Sequence, residues 1–134
     1  MTGQRRDLNR EKFKSENLLA VLNNPESNAN KNLKYLRNAM DVRSELKQFH
    51  PCSEMKCLSK GRSDIVVIKR SKGPKSVFAI HNMTENKINY QLNDNDLPKI
   101  IDNDFNTHDF LTSTKYNCKN ISLDPFQVIW LSAL

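Results

Sequence analysis

The residues best suited to chemistry cluster near the start of the chain, where RRDLNR brings Arg5, Arg6, Asp7, Asn9 and Arg10 together. A guanidinium presents a fixed fork of donors that suits a phosphate or two neighbouring hydroxyls. The same spacing is equally that of an exposed ion-pair cluster in which the arginines share Asp7. Other polar groups offer less. Asp94 and Asp96 in NDND, and Asp102 and Asp104 in DND, read as solvated loops or at most a weak cation site, because the glycine and distal glutamate of a calcium loop are missing. Cys52 and Cys57 form a C-x4-C pair without zinc-knuckle spacing, and of the three histidines only His50 is near them. Three free thiols in a reducing compartment are the simplest reading once Cys118 is added. The N-x-[ST] triplets at Asn82 and Asn120 are expected by chance in an Asn-rich chain without a secretion signal. No cofactor is implied.

Composition bounds what can position such groups. With 134 residues, 37% of them hydrophobic, there is room for one ordinary domain or for a short piece plus a smaller one. The net charge of +6 permits an anionic partner. Nucleic acid is disfavoured, because the aromatics fall on alternating strand positions instead of among the basic residues. No apolar run approaches the length of a bilayer span, and MTGQRRDLNREKF lacks the apolar stretch of a signal peptide. A cytoplasmic protein with no membrane contact is expected.

The first half of the chain uses helical spacing and the second half strand spacing. SENLLAVLNN, residues 15 to 24, puts Leu18, Leu19 and Leu22 on one face, with Ser15 as N-cap and Pro25 as a stop. NKNLKYLRNAMDVRSELKQF, residues 30 to 49, aligns Leu33, Leu36, Met40 and Leu46, and His50-Pro51 ends it. A weak strand over 55–58 then precedes IVVIKR, the SKGP turn and SVFAIHNM, an antiparallel pair. KINYQL alternates apolar and polar residues, and Phe110-Leu111, Ile121 to Leu123 and Phe126 to Leu131 supply the last strands. The inner face is expected to carry Val67, Phe78, Ile80, Tyr90, Val128 and Trp130. The fold class is α+β, with two helices followed by an all-antiparallel β-sandwich of six or seven short strands.

The runs RRDLNRE, LKYLRNAMDVRSELKQFHP, IVVIKR, SVFAIHNMTENKINYQL, DFLTS and ISLDPFQVIWL together resemble the C-terminal end of sucrose-phosphorylase-like enzymes of the α-amylase superfamily, the glycoside hydrolase family 13. The last two runs are shared with many amylase relatives, whereas RDLNR with FHP points more narrowly to the phosphorylase branch. The resemblance covers essentially the whole chain. It implies that residues 1–51 are a barrel-end loop and two helices, the tail of a (β/α)8 catalytic barrel, and that residues 52–134 are an antiparallel β C-terminal domain packed against it. Arg6 is then the arginine that reaches a sugar or phosphate from the loop after barrel strand eight, with Asp7, Asn9 and Arg10 shaping that loop. The partners of an intact parent would be an α-glucoside such as sucrose and inorganic phosphate.

The departures from the family weigh as much as the matches. Retaining glucosyl transfer needs two carboxyls facing each other at about 5 Å. The resemblance puts the family's catalytic acids upstream of Met1, so this chain is expected to be an inactive C-terminal fragment. The alternatives are the tail of an amylase-like α-glucoside hydrolase and a non-catalytic β-sandwich module that binds carbohydrate or protein. Ser113 in DFLTS stands where the family's turn has glycine.

Overall fold

The computed structural model describes residues 14–97 and 105–133. The chain divides into two compact units, with the boundary between Met40 and Asp41.

Helix α1 spans Ser15–Asn23 and helix α2 spans Asn28–Glu45, crossing that boundary. Ser15, expected as a cap, is the first helical residue; extended Lys14 holds the N-cap position without a side-chain bond. The stronger cap is Ser27, whose hydroxyl accepts the Asn30 N–H at 3.1 Å and donates to the Val21 carbonyl at 2.6 Å, tying the end of α1 to the start of α2. Beyond α2 a 3-10 turn, Lys47–Phe49, leads to His50 and Pro51. Neither helix contains a buried residue. Leu18, Leu19, Val21, Tyr35, Leu36 and Met40 are all exposed, Leu36 to 57% and Met40 to 62%. No helix among the described residues is long and apolar enough to cross a membrane.

The described residues of the second unit form eight strands: β1 (Glu54–Cys57), β2 (Ile65–Lys72), β3 (Lys75–Asn82), β4 (Ile88–Tyr90), β5 (Asn106–His108), β6 (Lys115–Asn117), β7 (Ile121–Leu123) and β8 (Val128–Ala133). They form a four-stranded sheet ordered β1-β2-β3-β8 and two ribbons, β4-β7 and β5-β6, with every pairing antiparallel. The α+β class and antiparallel pairing therefore hold. Strands β2 and β3 meet at Lys72 and Lys75, and Gly73 supplies the positive φ of 60° that so short a hairpin requires.

One core unites the four-stranded sheet with β7 and the adjoining loops. Ile65, Val67, Phe78, Ile80, Ile129 and Leu131 meet Ile121, Leu123, Leu92, Leu58 and the Cys118 thiol, with Ile88, Tyr90, Leu97 and Tyr116 around them. Val67, Phe78, Ile80 and Tyr90 thus lie where strand alternation places them. Val128 and Trp130 do not. Ile80 pairs with Ile129 and Phe78 with Leu131, so Ile129 and Leu131 point into the core and Trp130 lies on the opposite face. Phe126 is also outside any strand, in a turn with φ of 55° and 66% exposed.

Candidate functional site

Arg6, and with it Asp7, Asn9 and Arg10, lies outside the described residues, as do Asp102 and Asp104. Several of the described carboxylates are held in ion pairs. Asp64 pairs with Arg62, Asp94 with Lys119, and Asp124 with Lys87 at 3.3 Å. Asp96 is not a solvated loop residue: it is buried, accepts from Lys56 Nζ at 2.8 Å, and its main-chain carbonyl accepts from Lys69 Nζ at 2.6 Å. The bond from Lys56 holds its carboxyl below the usual range against the opposing effect of burial. Among the described residues no three His, Cys, Asp or Glu side chains are grouped as metal ligands. Cys52 and Cys57 are exposed thiols, whereas Cys118 fills the core.

Two buried polar residues carry structural roles that the sequence does not announce. Asp109 is wholly buried. Its Oδ1 accepts the N–H groups of Trp130 at 2.7 Å and Leu111 at 3.2 Å, while Oδ2 accepts the Thr112 hydroxyl at 2.7 Å. Together with the bond from Phe110 N–H to the Trp130 carbonyl at 2.9 Å, these contacts occupy the free edge of β8. Asn82 lies at the end of β3, nearly inaccessible. Its Nδ2 donates to the carbonyls of Asn86 at 2.7 Å and Asp124 at 2.8 Å, and its Oδ1 accepts Thr84 N–H and hydroxyl, both at 2.9 Å. Both amide hydrogens are thereby used, so this triplet is a clasp between two turns and not a glycan acceptor.

The outer face of the four-stranded sheet, away from the core, carries a candidate site. Cys57, Ile68, Ala79 and Trp130 stand opposite one another across four adjacent strands. The row on one side is Met55, Arg70, Val77 and Ser132, and that on the other is Val66, His81 and Val128. Phe49, carried on the 3-10 turn, covers part of this face, its ring centroid 4.7 Å from that of Trp130. Arg70 fixes that turn by donating Nε to the Gln48 carbonyl at 3.1 Å and Nη2 to the His50 carbonyl at 2.7 Å. What remains is a groove of about 430 Å³ lined by Arg43, Phe49, Pro51, Met55, Ile68, Arg70, Ala79, His81 and Trp130. Burial holds the His81 imidazole below its ordinary value, favouring the neutral form. The groove has no nucleophile placed beside a base and no carboxylate in its wall.

No protein-family model matches the chain, and no curated protein sequence matches it. Solved structures do. The trehalose-6-phosphate hydrolase of Bacillus licheniformis is 16% identical over 87% of this chain, with a TM-score of 0.60, the match taking in 20% of that enzyme. The trehalulose synthase MutB is 12% identical over 85%, with a TM-score of 0.64 and 19% of its length matched; another of its structures contains sucrose as substrate. The isomaltulose synthase of Erwinia rhapontici NX5 is 18% identical over 85%, with a TM-score of 0.59 and 19% of its length matched. The chain spans about a fifth of each of these enzymes, and it has the fold of that fifth.

Proposed function

We propose that this chain is the C-terminal, non-catalytic portion of an α-amylase-superfamily enzyme of the sucrose phosphorylase kind. Its two helices would close a (β/α)8 barrel, and its strands would form a β-sandwich seated on that barrel. The observation that carries this reading is the contrast between the two parts of the chain. The strands enclose a complete core, while α1 and α2 contain no fully buried residue and expose six large apolar side chains. An amphipathic helix gains its stability mainly from what its apolar face meets. These helices have the faces and want the partner.

In the intact parent, a cytoplasmic enzyme, glucosyl transfer from sucrose to phosphate would proceed by double displacement with retention, releasing fructose and then α-glucose 1-phosphate. The opposed carboxyls that this requires would be supplied by the barrel. Arg6 would contribute a guanidinium to the sugar or phosphate, and Asp7, Asn9 and Arg10 would shape its loop. The exposed thiols of Cys52 and Cys57 suit a reducing compartment.

A hydrolase or isomerising parent is the second reading, favoured by the names of the solved structures that share the fold. The two are separated by expressing the whole reading frame upstream of and including this chain, then supplying sucrose with and without phosphate. Phosphate-dependent formation of glucose 1-phosphate supports the phosphorylase. Free glucose or an isomeric disaccharide, independent of phosphate, supports the alternative. An upstream frame with no barrel pattern would remove both.

A further inference from the structure

We infer that the groove on the outer face of the four-stranded sheet takes an acidic amphipathic helix, with one large apolar side chain seated over Ala79 and carboxylates directed at Arg43 and Arg70. This deepens the docking role proposed above and rests on it.

The shape argues for a helix. The row Cys57, Ile68, Ala79 and Trp130 crosses four strands, a span of about 14 Å at roughly 4.8 Å per strand. That width accepts one helix of about 10 Å diameter. Ala79, between Ile68 and Trp130, is the smallest side chain in the row, and the Phe49 ring beside Trp130 raises the wall. The floor therefore dips where a leucine or phenylalanine of a visitor would fit.

The charge argues for acidity. The formal charges in the groove wall are Arg43 and Arg70, and no Asp or Glu lines it. Neither arginine has a carboxylate partner among the described ion pairs. Arg70 commits two N–H groups to carbonyls, and a guanidinium has further donors to offer. Lys72 and Lys75, directly opposite each other at the hairpin end, extend the positive field. A second copy of this chain, itself at +6, is the wrong sign for this groove. Nucleic acid would require free aromatic faces for stacking, and the Trp130 ring already lies against Phe49.

Trp130 is the only tryptophan in the chain, so its emission reports on the groove directly. The test titrates the full 134-residue chain with two synthetic 18-residue helical peptides that share one leucine stripe and differ in carrying Glu or Lys beside it. The Glu peptide should shift Trp130 emission and bind at least tenfold more tightly than the Lys peptide, with the difference shrinking as salt is raised. Reversing two exposed charges, Arg43→Glu with Lys72→Glu, should invert the preference; unchanged far-ultraviolet dichroism certifies the fold. Equal affinity for both peptides would overturn the charge assignment while leaving the docking role standing. No response of Trp130 to either peptide would overturn the groove as the docking surface. A concentration-dependent Trp130 shift without peptide, or an equal response to single-stranded DNA, would give the groove to another occupant and defeat the inference. Failure of the sugar assays of the parent, by contrast, would leave all these outcomes unaffected.

Discussion

Ser113 has a φ of 61° without being glycine. An L-residue pays about 1–2 kcal/mol in that region, part of which glycine returns as chain entropy. Ser113→Gly should therefore raise stability by roughly 0.5–1 kcal/mol, read as an upward shift of the urea midpoint at constant slope. A lower midpoint would show that the turn is not strained. Asp109 gives the opposite expectation. Asp109→Ala leaves the Trp130 and Leu111 N–H groups without acceptors and should cost roughly 2–4 kcal/mol, whereas Asp109→Asn keeps an oxygen for them and should cost less. Similar losses in both variants would mean that charge, not acceptance, is what matters there. His81 and Asp96 both contribute to the acid side of the stability curve. His81 is held below its ordinary value of 6.5, so the unfolded chain binds its proton first; stability is full above that value and falls as the pH drops beneath it. His81→Gln should flatten that decline. Asp96, also lowered, contributes stability above about pH 3.9 that is lost on further acidification through its folded value. An unfolding series at fixed denaturant, stepped from pH 7.5 to 3, separates the two limbs.

Among the elements, β8 closes the core. Cutting the chain after Leu123 removes Ile129 and Leu131 from the apolar cluster and strips β3 of its neighbour. The truncated chain should lose cooperative melting and amide dispersion in the proton spectrum; a sharp melt would show that β8 is dispensable. The same strand shows what periodicity can and cannot disclose. Strands β2, β3, β4 and β7 were legible because their alternation or turn residues fix where they run. In VIWL both parities are apolar, since one face of β8 enters the core and the other lies under Phe49. No alternation is left to choose between them, so Trp130 is easily assigned to the wrong side. Asp109 and Asn82 were illegible for a different reason. A buried polar side chain is defined by partners distant in sequence, Trp130 in one case and Asp124 in the other, and leaves no local pattern. Phe49 escaped notice because it lies beyond the last turn of α2, where helical spacing no longer applies. The arginine motif was visible in the sequence and lies outside the described residues.

At the scale of the whole molecule, a closed β core stands beside helices whose apolar side chains are exposed. Stability should be divided the same way, since protection from exchange follows buried apolar contact and secured hydrogen bonds. Native-state hydrogen exchange of the free 134-residue chain reads this residue by residue. Amides of β2, β3 and β8 should exchange only through global unfolding, while those of Ser15–Asn23 and of Asn28–Glu45 should exchange faster by several orders of magnitude. Helix amides as slow as those of the sheet, at concentrations where the chain is monomeric, would contradict this division, because such helices would already have a surface covering their apolar faces.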